Sequence, residues 1–131
     1  IELLRQVTRK GNFEEGLSVV GISSISSITG GAGITAYSSS KAAMDGAVRS
    51  LASELASKGI RINTVMPGQI NTPAYAKMIE SSGGVDKVMD RQYLGLGEAQ
   101  DVVNMIEFML SDKSRMITGA SIPLDGGYLT S

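Results

Sequence analysis

Leu17, Val19, Val20 and Ile22 set apolar residues at both parities of a short run. A strand with one wet face alternates apolar and polar residues, because successive side chains point to opposite faces. Apolar residues at both parities require burial on both faces, which is the habit of a parallel sheet. Residues 60–65, Ile-Arg-Ile-Asn-Thr-Val, read as a second strand rich in β-branched side chains. Between the two lies a helical pattern over about 36–58, in which Met44, Val48, Leu51 and Leu55 recur at i, i+4, i+7 and i+11 on one apolar face. Gly59 stands where that helix needs a C-cap. A third strand falls at about Ala120–Leu124, and Pro123 within it cannot donate to a ladder, so it belongs at an edge. Strands joined by helical crossovers predict an α/β fold, one half of a doubly wound, Rossmann-like parallel sheet with flanking helices.

The remaining segments are read around that frame. Residues 1–10 have the pattern of a helix end: Leu3, Leu4 and Val7 share a face, Arg5, Arg9 and Lys10 suit the negative end of the dipole, and Gly11 is a C-cap candidate. Asn12–Gly16 is a polar loop and 24–35 a second loop. Residues 71–95 are mixed, with a short helix at Ala74–Ser81 followed by Gly83-Gly84. Glu98 and Asp101 suit a helix N-terminus, ahead of an apolar face of Val102, Met105, Ile106 and Met109. The chain opens on Ile1 inside a helical pattern, so residues 1–131 are expected to be a single partial domain. The long helix has a second face of small residues, Ser39, Ala43, Gly46 and Ser50, which suits close approach of another helix or of the domain's own sheet.

Composition removes several classes of function. The net charge is −1, so no basic footprint points to nucleic acid or an anionic membrane. There is no cysteine, which excludes disulfides and thiolate chemistry and suits a cytoplasmic enzyme. There is no histidine either, which removes Ser-His-Asp triads and most zinc sites; no metal site is expected. No apolar run reaches the ~18 residues of a membrane span.

The chemistry concentrates between Ser23 and Lys41, SSISSITGGAGITAYSSSK. Tyr37 and Lys41 are four apart near the start of the long helix, so they share a face. A positive charge beside a phenol favours the phenolate, and a tyrosine so placed can pass a proton near neutral pH. A serine hydroxyl aimed at the same point could hold the reacting oxygen. The bland alternative is a polar first turn with a solvated lysine. Gly31-Ala-Gly-Ile-Thr-Ala36 also fits the dinucleotide fingerprint G-x-G-x-x-G/A. It is rejected because Gly31 lies eight residues past Ser23 and the acidic residue at the required distance, Glu54, falls mid-helix. Ser38-x-x-Lys41 matches the S-x-x-K of acyl-transfer enzymes, but the accompanying S-D-N and K-T-G elements are missing.

Ser24 lies thirteen residues before Tyr37, Pro67-Gly68 follows the second strand with Thr72 five after the proline, and ITGASIPLDGG occupies 117–127. Together these resemble the short-chain dehydrogenase/reductase family over nearly the whole chain from Leu17; within that family 3-oxoacyl-[acyl carrier protein] reductases and sugar or polyol dehydrogenases share these motifs, and we lean slightly to the first. The resemblance implies hydride transfer between NAD or NADP and a small-molecule carbonyl or alcohol. Tyr37 would be the proton donor, and Ser24 would hold the substrate oxygen. Lys41 would favour the Tyr37 phenolate and bond the nicotinamide ribose. Backbone groups of Pro67, Gly68 and Ile70, with the Thr72 hydroxyl, would grip the nicotinamide end. The family also implies a homo-oligomer through the 36–58 helix. Its glycine-rich phosphate loop, its NAD-or-NADP selector and its catalytic asparagine have no counterpart in these 131 residues. The chain is therefore expected to lack the N-terminal dinucleotide-binding half. The alternative function is that of a catalytically incompetent fragment acting only as an oligomerising module.

Overall fold

The structure, a computed structural model, describes residues 16–81 and 90–130 together with Glu2, Gln6 and Arg9. Glu2 and Gln6 are helical. The rest of the expected helix end, its Gly11 cap, the loop before Gly16 and Gly83-Gly84 lie outside the described residues.

Three parallel strands form one sheet in the order β1-β2-β3: β1 is Ser18–Ile22, β2 is Arg61–Pro67 and β3 is Ser121–Leu124. The register sets Val20 against Asn63 and Ile22 against Val65, then Thr64 against Ser121 and Pro67 against Leu124. β2 has a neighbour on each side and is buried without break from Ile62 to Met66. Burial on both faces is therefore realised in β2. In β1, from which it was expected, the residues are half-buried and Ile22 is exposed, because β1 pairs only with β2. β3 is an edge strand with Pro123 exposed, as a residue with no N–H requires.

The connections are helical. The segment after β1 is not loop throughout, since α1, Ser26–Thr29, makes one turn in it; four residues are too few to show a period. Helix α2 covers Thr35–Leu55 and tightens into a 3₁₀ turn at Ala56–Lys58. Gly59 then ends it in the left-handed region at φ 67°. Val48 and Ala52 of α2 pack on Ile62 with Val19 and Leu51 around them. Full burial of a valine or isoleucine side chain, as at Val48 and Ile62, contributes about 1.5–3 kcal/mol. Glu54, the acidic residue the glycine motif would need, is exposed on this helix. Helix α3 is Pro73–Ser81, within one residue of the expectation. Helix α4 is Ala99–Leu110, and Asp101 accepts from the Glu98 N–H at 2.8 Å, as a first-turn carboxylate should. Among the described residues no helix is long and apolar enough to cross a membrane.

Arg61 ties the two layers together. Its guanidinium donates to the carbonyls of Met109 (3.1 Å), Ser111 (3.1 Å) and Ile117 (3.4 Å) and to Ser114 Oγ (3.0 Å). A cation is thus seated on the C-terminal carbonyls of α4, where orphan acceptors and the helix dipole both favour it. Arg61→Met keeps the stem and removes every one of these bonds. It should lower unfolding free energy by about 2–3 kcal/mol, measured by urea denaturation of the full polypeptide; an unchanged midpoint would show that water replaces the guanidinium at no cost.

Candidate active site

The site candidates gather at the carboxyl end of β1 and β2. The ladder runs one residue past β1, with the Ser23 N–H donating to Val65 O at 2.8 Å, and then the Ile25 N–H donates to Pro67 O at 3.2 Å. Ser23, Ser24 and Ile25, all buried, are thereby strapped across the strand ends. Ser24 Oγ accepts from the Ser26 N–H at 3.1 Å, a local turn that fixes its side chain and leaves its O–H free to donate elsewhere.

Lys41 reaches back from the second turn of α2 to the end of β1, where its Nζ donates to Ile22 O at 2.8 Å. Its own carbonyl accepts from Ser23 Oγ at 3.4 Å. The same Nζ lies 5.5 Å from the centroid of the Tyr37 ring, within the range of a cation–π attraction. Tyr37 is 48% exposed, and its hydroxyl has no hydrogen-bond partner among the described residues. The Lys41 ammonium and the Tyr37 ring thus lie on one face of α2. Ser38 behaves differently: its Oγ is buried with no hydrogen-bond partner, so it is not bonded to Lys41 as an acyl-transfer pair would be.

One turn further on α2, Asp45 is buried and accepts from Thr64 Oγ1 at 2.8 Å, which is 2.9 Å from Ser121 Oγ. This polar thread joins α2 to β2 and β3 below the tyrosine–lysine pair. No motif announced it, since a lone aspartate within an otherwise small and apolar helix face reads as surface.

The loop after β2 is held tightly. The Gly68 N–H donates to Leu124 O at 2.9 Å, and a Cβ on Gly68 would lie 2.5 Å from Gln92 Oε1 and 2.9 Å from Asp125 Cα. Gly68 is thus required for close approach, and its N–H is already committed. Ile70 differs, because its backbone N–H and C=O are unbonded among the described residues while Gln69 and Asn71 on either side are bonded to Gly97. Thr72 Oγ1 accepts from the Tyr75 N–H at 3.2 Å and caps α3, with Pro73 at the first helical position; its O–H can still donate. Free donors and acceptors at Ile70 and Thr72 fit the carboxamide end of a nicotinamide, so the residues present suit that group. Gln92, buried and bonded to this loop, was missed by sequence reasoning, as it lies in a stretch without period or motif.

A cavity of about 490 Å³ lies beside the loop, lined by Ile70, Gln92, Leu96, Met105, Phe108 and Leu124 among others. Ser24, Tyr37 and Lys41 do not line it.

Comparison with known proteins places the chain in a family. A family model described as Enoyl-(Acyl carrier protein) reductase matches residues 1–129. The chain belongs to the short-chain dehydrogenase/reductase family. It is 43% identical to a (3R)-3-hydroxyacyl-CoA dehydrogenase of Mus musculus over 111 residues, covering 84% of this chain and 42% of that protein. It is 40% identical to the 3-oxoacyl-[acyl-carrier-protein] reductase FabG of Thermotoga maritima over 113 residues, covering 86% of this chain and 45% of that one. A crystal structure from Agrobacterium tumefaciens with bound NADP superimposes with a TM-score of 0.87 at 29% identity, covering 98% of this chain and 51% of that one. The chain spans about half the length of the curated relatives it matches.

Gly68→Ala should destabilise the fold by about 1–3 kcal/mol, since the added methyl meets backbone at Asp125 as well as the Gln92 amide. Chemical denaturation checks this, and wild-type stability would mean that the loop yields at no cost.

Proposed function

We propose that this chain carries the proton-transfer half of an NAD(P)-dependent oxidoreductase that interconverts a carbonyl and a secondary alcohol. The observation that carries the reading is the Tyr37–Lys41 pair on one face of α2, with the lysine anchored to Ile22 O and the phenol hydroxyl without a hydrogen-bond partner among the described residues. Tyr37 gives its proton to the carbonyl oxygen in reduction and takes it back in oxidation. Lys41 sets its Nζ 5.5 Å from the Tyr37 ring centroid, beside the group that gives and takes the proton. Ser24, its side chain fixed by the Ser26 N–H, donates its O–H to the same oxygen. Ile70 offers a backbone donor and acceptor, and Thr72 a hydroxyl, to the nicotinamide end, while Pro67 and Gly68 shape the turn that sets them. The dinucleotide, when bound, supplies or accepts the hydride. For substrate we favour a 3-oxoacyl or 3-hydroxyacyl thioester, supported by the likeness to the 3-hydroxyacyl-CoA dehydrogenase and the 3-oxoacyl-[acyl-carrier-protein] reductase named above.

Assembly belongs to the same proposal. Ser39, Ala43 and Ser50 on α2 are exposed, and at Gly46 an added Cβ would have only Arg49 nearby. The small-residue stripe is therefore not spent on the domain's own sheet and is open to a second copy of this chain. A second reading, an oligomerising module without turnover, is favoured by the exposure of this stripe and by the half-buried edge strand β1. Turnover separates the two readings.

In the full polypeptide, Tyr37→Phe should cut ketone reduction by ~10²–10⁴-fold while NAD(P)H affinity stays near wild type. Steady-state kinetics with a fluorescence titration of NAD(P)H check both halves; wild-type turnover by Tyr37→Phe would remove the tyrosine from the mechanism. Gly46→Leu should shift the protein to a smaller species in size-exclusion chromatography with light scattering, because a leucine fills the space that a neighbouring helix needs. Elution at the wild-type mass would show that the stripe faces solvent.

A further inference from the structure

Gln92 is 2% exposed, and its side-chain amide is fully used. Its Oε1 accepts from the Gln69 N–H at 2.8 Å, and its Nε2 donates to Gln69 O at 2.9 Å and to Gly95 O at 2.6 Å. One side chain thus bonds both backbone groups of a residue in the loop after β2. The neighbouring backbone follows a pattern. The Gly97 N–H donates to Gln69 O at 3.0 Å, and the Asn71 N–H donates to Gly97 O at 2.8 Å. With the Gly68 N–H on Leu124 O, every N–H from Gly68 to Asn71 except that of Ile70 is committed among the described residues. A packing role alone would not call for an amide, because burying one without partners costs more than an apolar side chain of the same length. Gly68 is fitted to the same contact, since any Cβ there would collide with Gln92 Oε1.

We infer that Gln92 is a positioning residue for cofactor binding: its buried amide holds the Gln69 peptide units so that Ile70 keeps its N–H and C=O available to a nicotinamide carboxamide. This rests on the reading of residues 67–72 as the nicotinamide grip. The hydrogen bonds of Gln92 among the described residues go to Gln69 and Gly95, none to the phenol or the lysine of the proposed proton-transfer pair, so its effect falls on affinity for the dinucleotide and leaves proton transfer intact.

Two variants in the full polypeptide test the inference. Gln92→Met keeps the length and loses all three bonds; Gln92→Glu keeps an acceptor for the Gln69 N–H and loses both donors. Fluorescence titration should show Kd for NAD(P)H raised about tenfold or more in each. Turnover at saturating cofactor should stay within about threefold of wild type, with the pH–rate profile unmoved. A variant-independent readout uses hydrogen exchange of the wild type, where saturating NAD(P)H should slow the Ile70 amide. Wild-type Kd in both variants overturns the inference, and so does turnover falling with Kd unchanged or an Ile70 amide that NAD(P)H does not protect. The underlying reading fails separately, and takes the inference with it, if the wild-type protein does not bind NAD(P)H. Saturable binding and Tyr37-dependent turnover with wild-type affinity in both variants remove Gln92 alone.

Discussion

β2 has a hydrogen-bonded neighbour on each side and five consecutive buried residues, and the serine strap and the loop of the proposed site are tied to its carboxyl end. Its pairing with β1 brings Val65 O and Pro67 O to the Ser23–Ile25 strap, which places the Ser24 hydroxyl. Its pairing with β3 brings Leu124 O to the Gly68 N–H, which starts the loop that carries Ile70 and Thr72. Ligands of open parallel sheets bind outside the carboxyl ends of strands for this reason: the ladder is rigid up to its last pair, and the chain leaves it at a fixed point. A shift in β2 would move the serine strap and the loop together.

Lys41 makes the second tie. An ammonium has three donors, and one of them is spent on Ile22 O, which draws the start of α2 onto the end of β1. The same Nζ lies 5.5 Å from the Tyr37 ring centroid, so the bond that ties α2 to β1 also sets the ammonium beside the ring of the proposed proton donor. The buried Asp45–Thr64–Ser121 thread fixes the same helix one turn further along, against the two strands on the other side. Hydrogen bonds of this kind contribute only about 0.5–1.5 kcal/mol each, but they act on position. A phenol held within reach of a substrate oxygen gains more from orientation than from added affinity.

Much of this was legible in the chain itself. Both long-element boundaries and the left-handed Gly59 follow from periodicity and capping, because those signals are local. The edge position of β3 follows from the missing N–H of Pro123. Ser24, Tyr37 and Lys41 are named by their match to the family's serine, tyrosine and lysine spacing; the chain's own periodicity supports only that Tyr37 and Lys41 share a helix face. Three other residues escaped for one shared reason. Arg61, Asp45 and Gln92 act on partners far along the chain, at Met109–Ile117, Thr64 and Gln69, and no period or motif marks such a pair in advance. The expected burial of β1 on both faces went to β2 instead, because parity reports what a strand can tolerate and the sheet order decides which strand has two neighbours.

The central claim is that one substrate oxygen is held by Ser24 and Tyr37 together. A crystal structure of the full polypeptide with NAD(P)H and an unreactive ketone analogue measures it directly. The account predicts the ketone oxygen within about 3.2 Å of both Ser24 Oγ and Tyr37 Oη, with Lys41 Nζ still on Ile22 O. A ketone seated instead in the cavity lined by Leu96, Met105 and Phe108, with its oxygen out of reach of Tyr37, would contradict it.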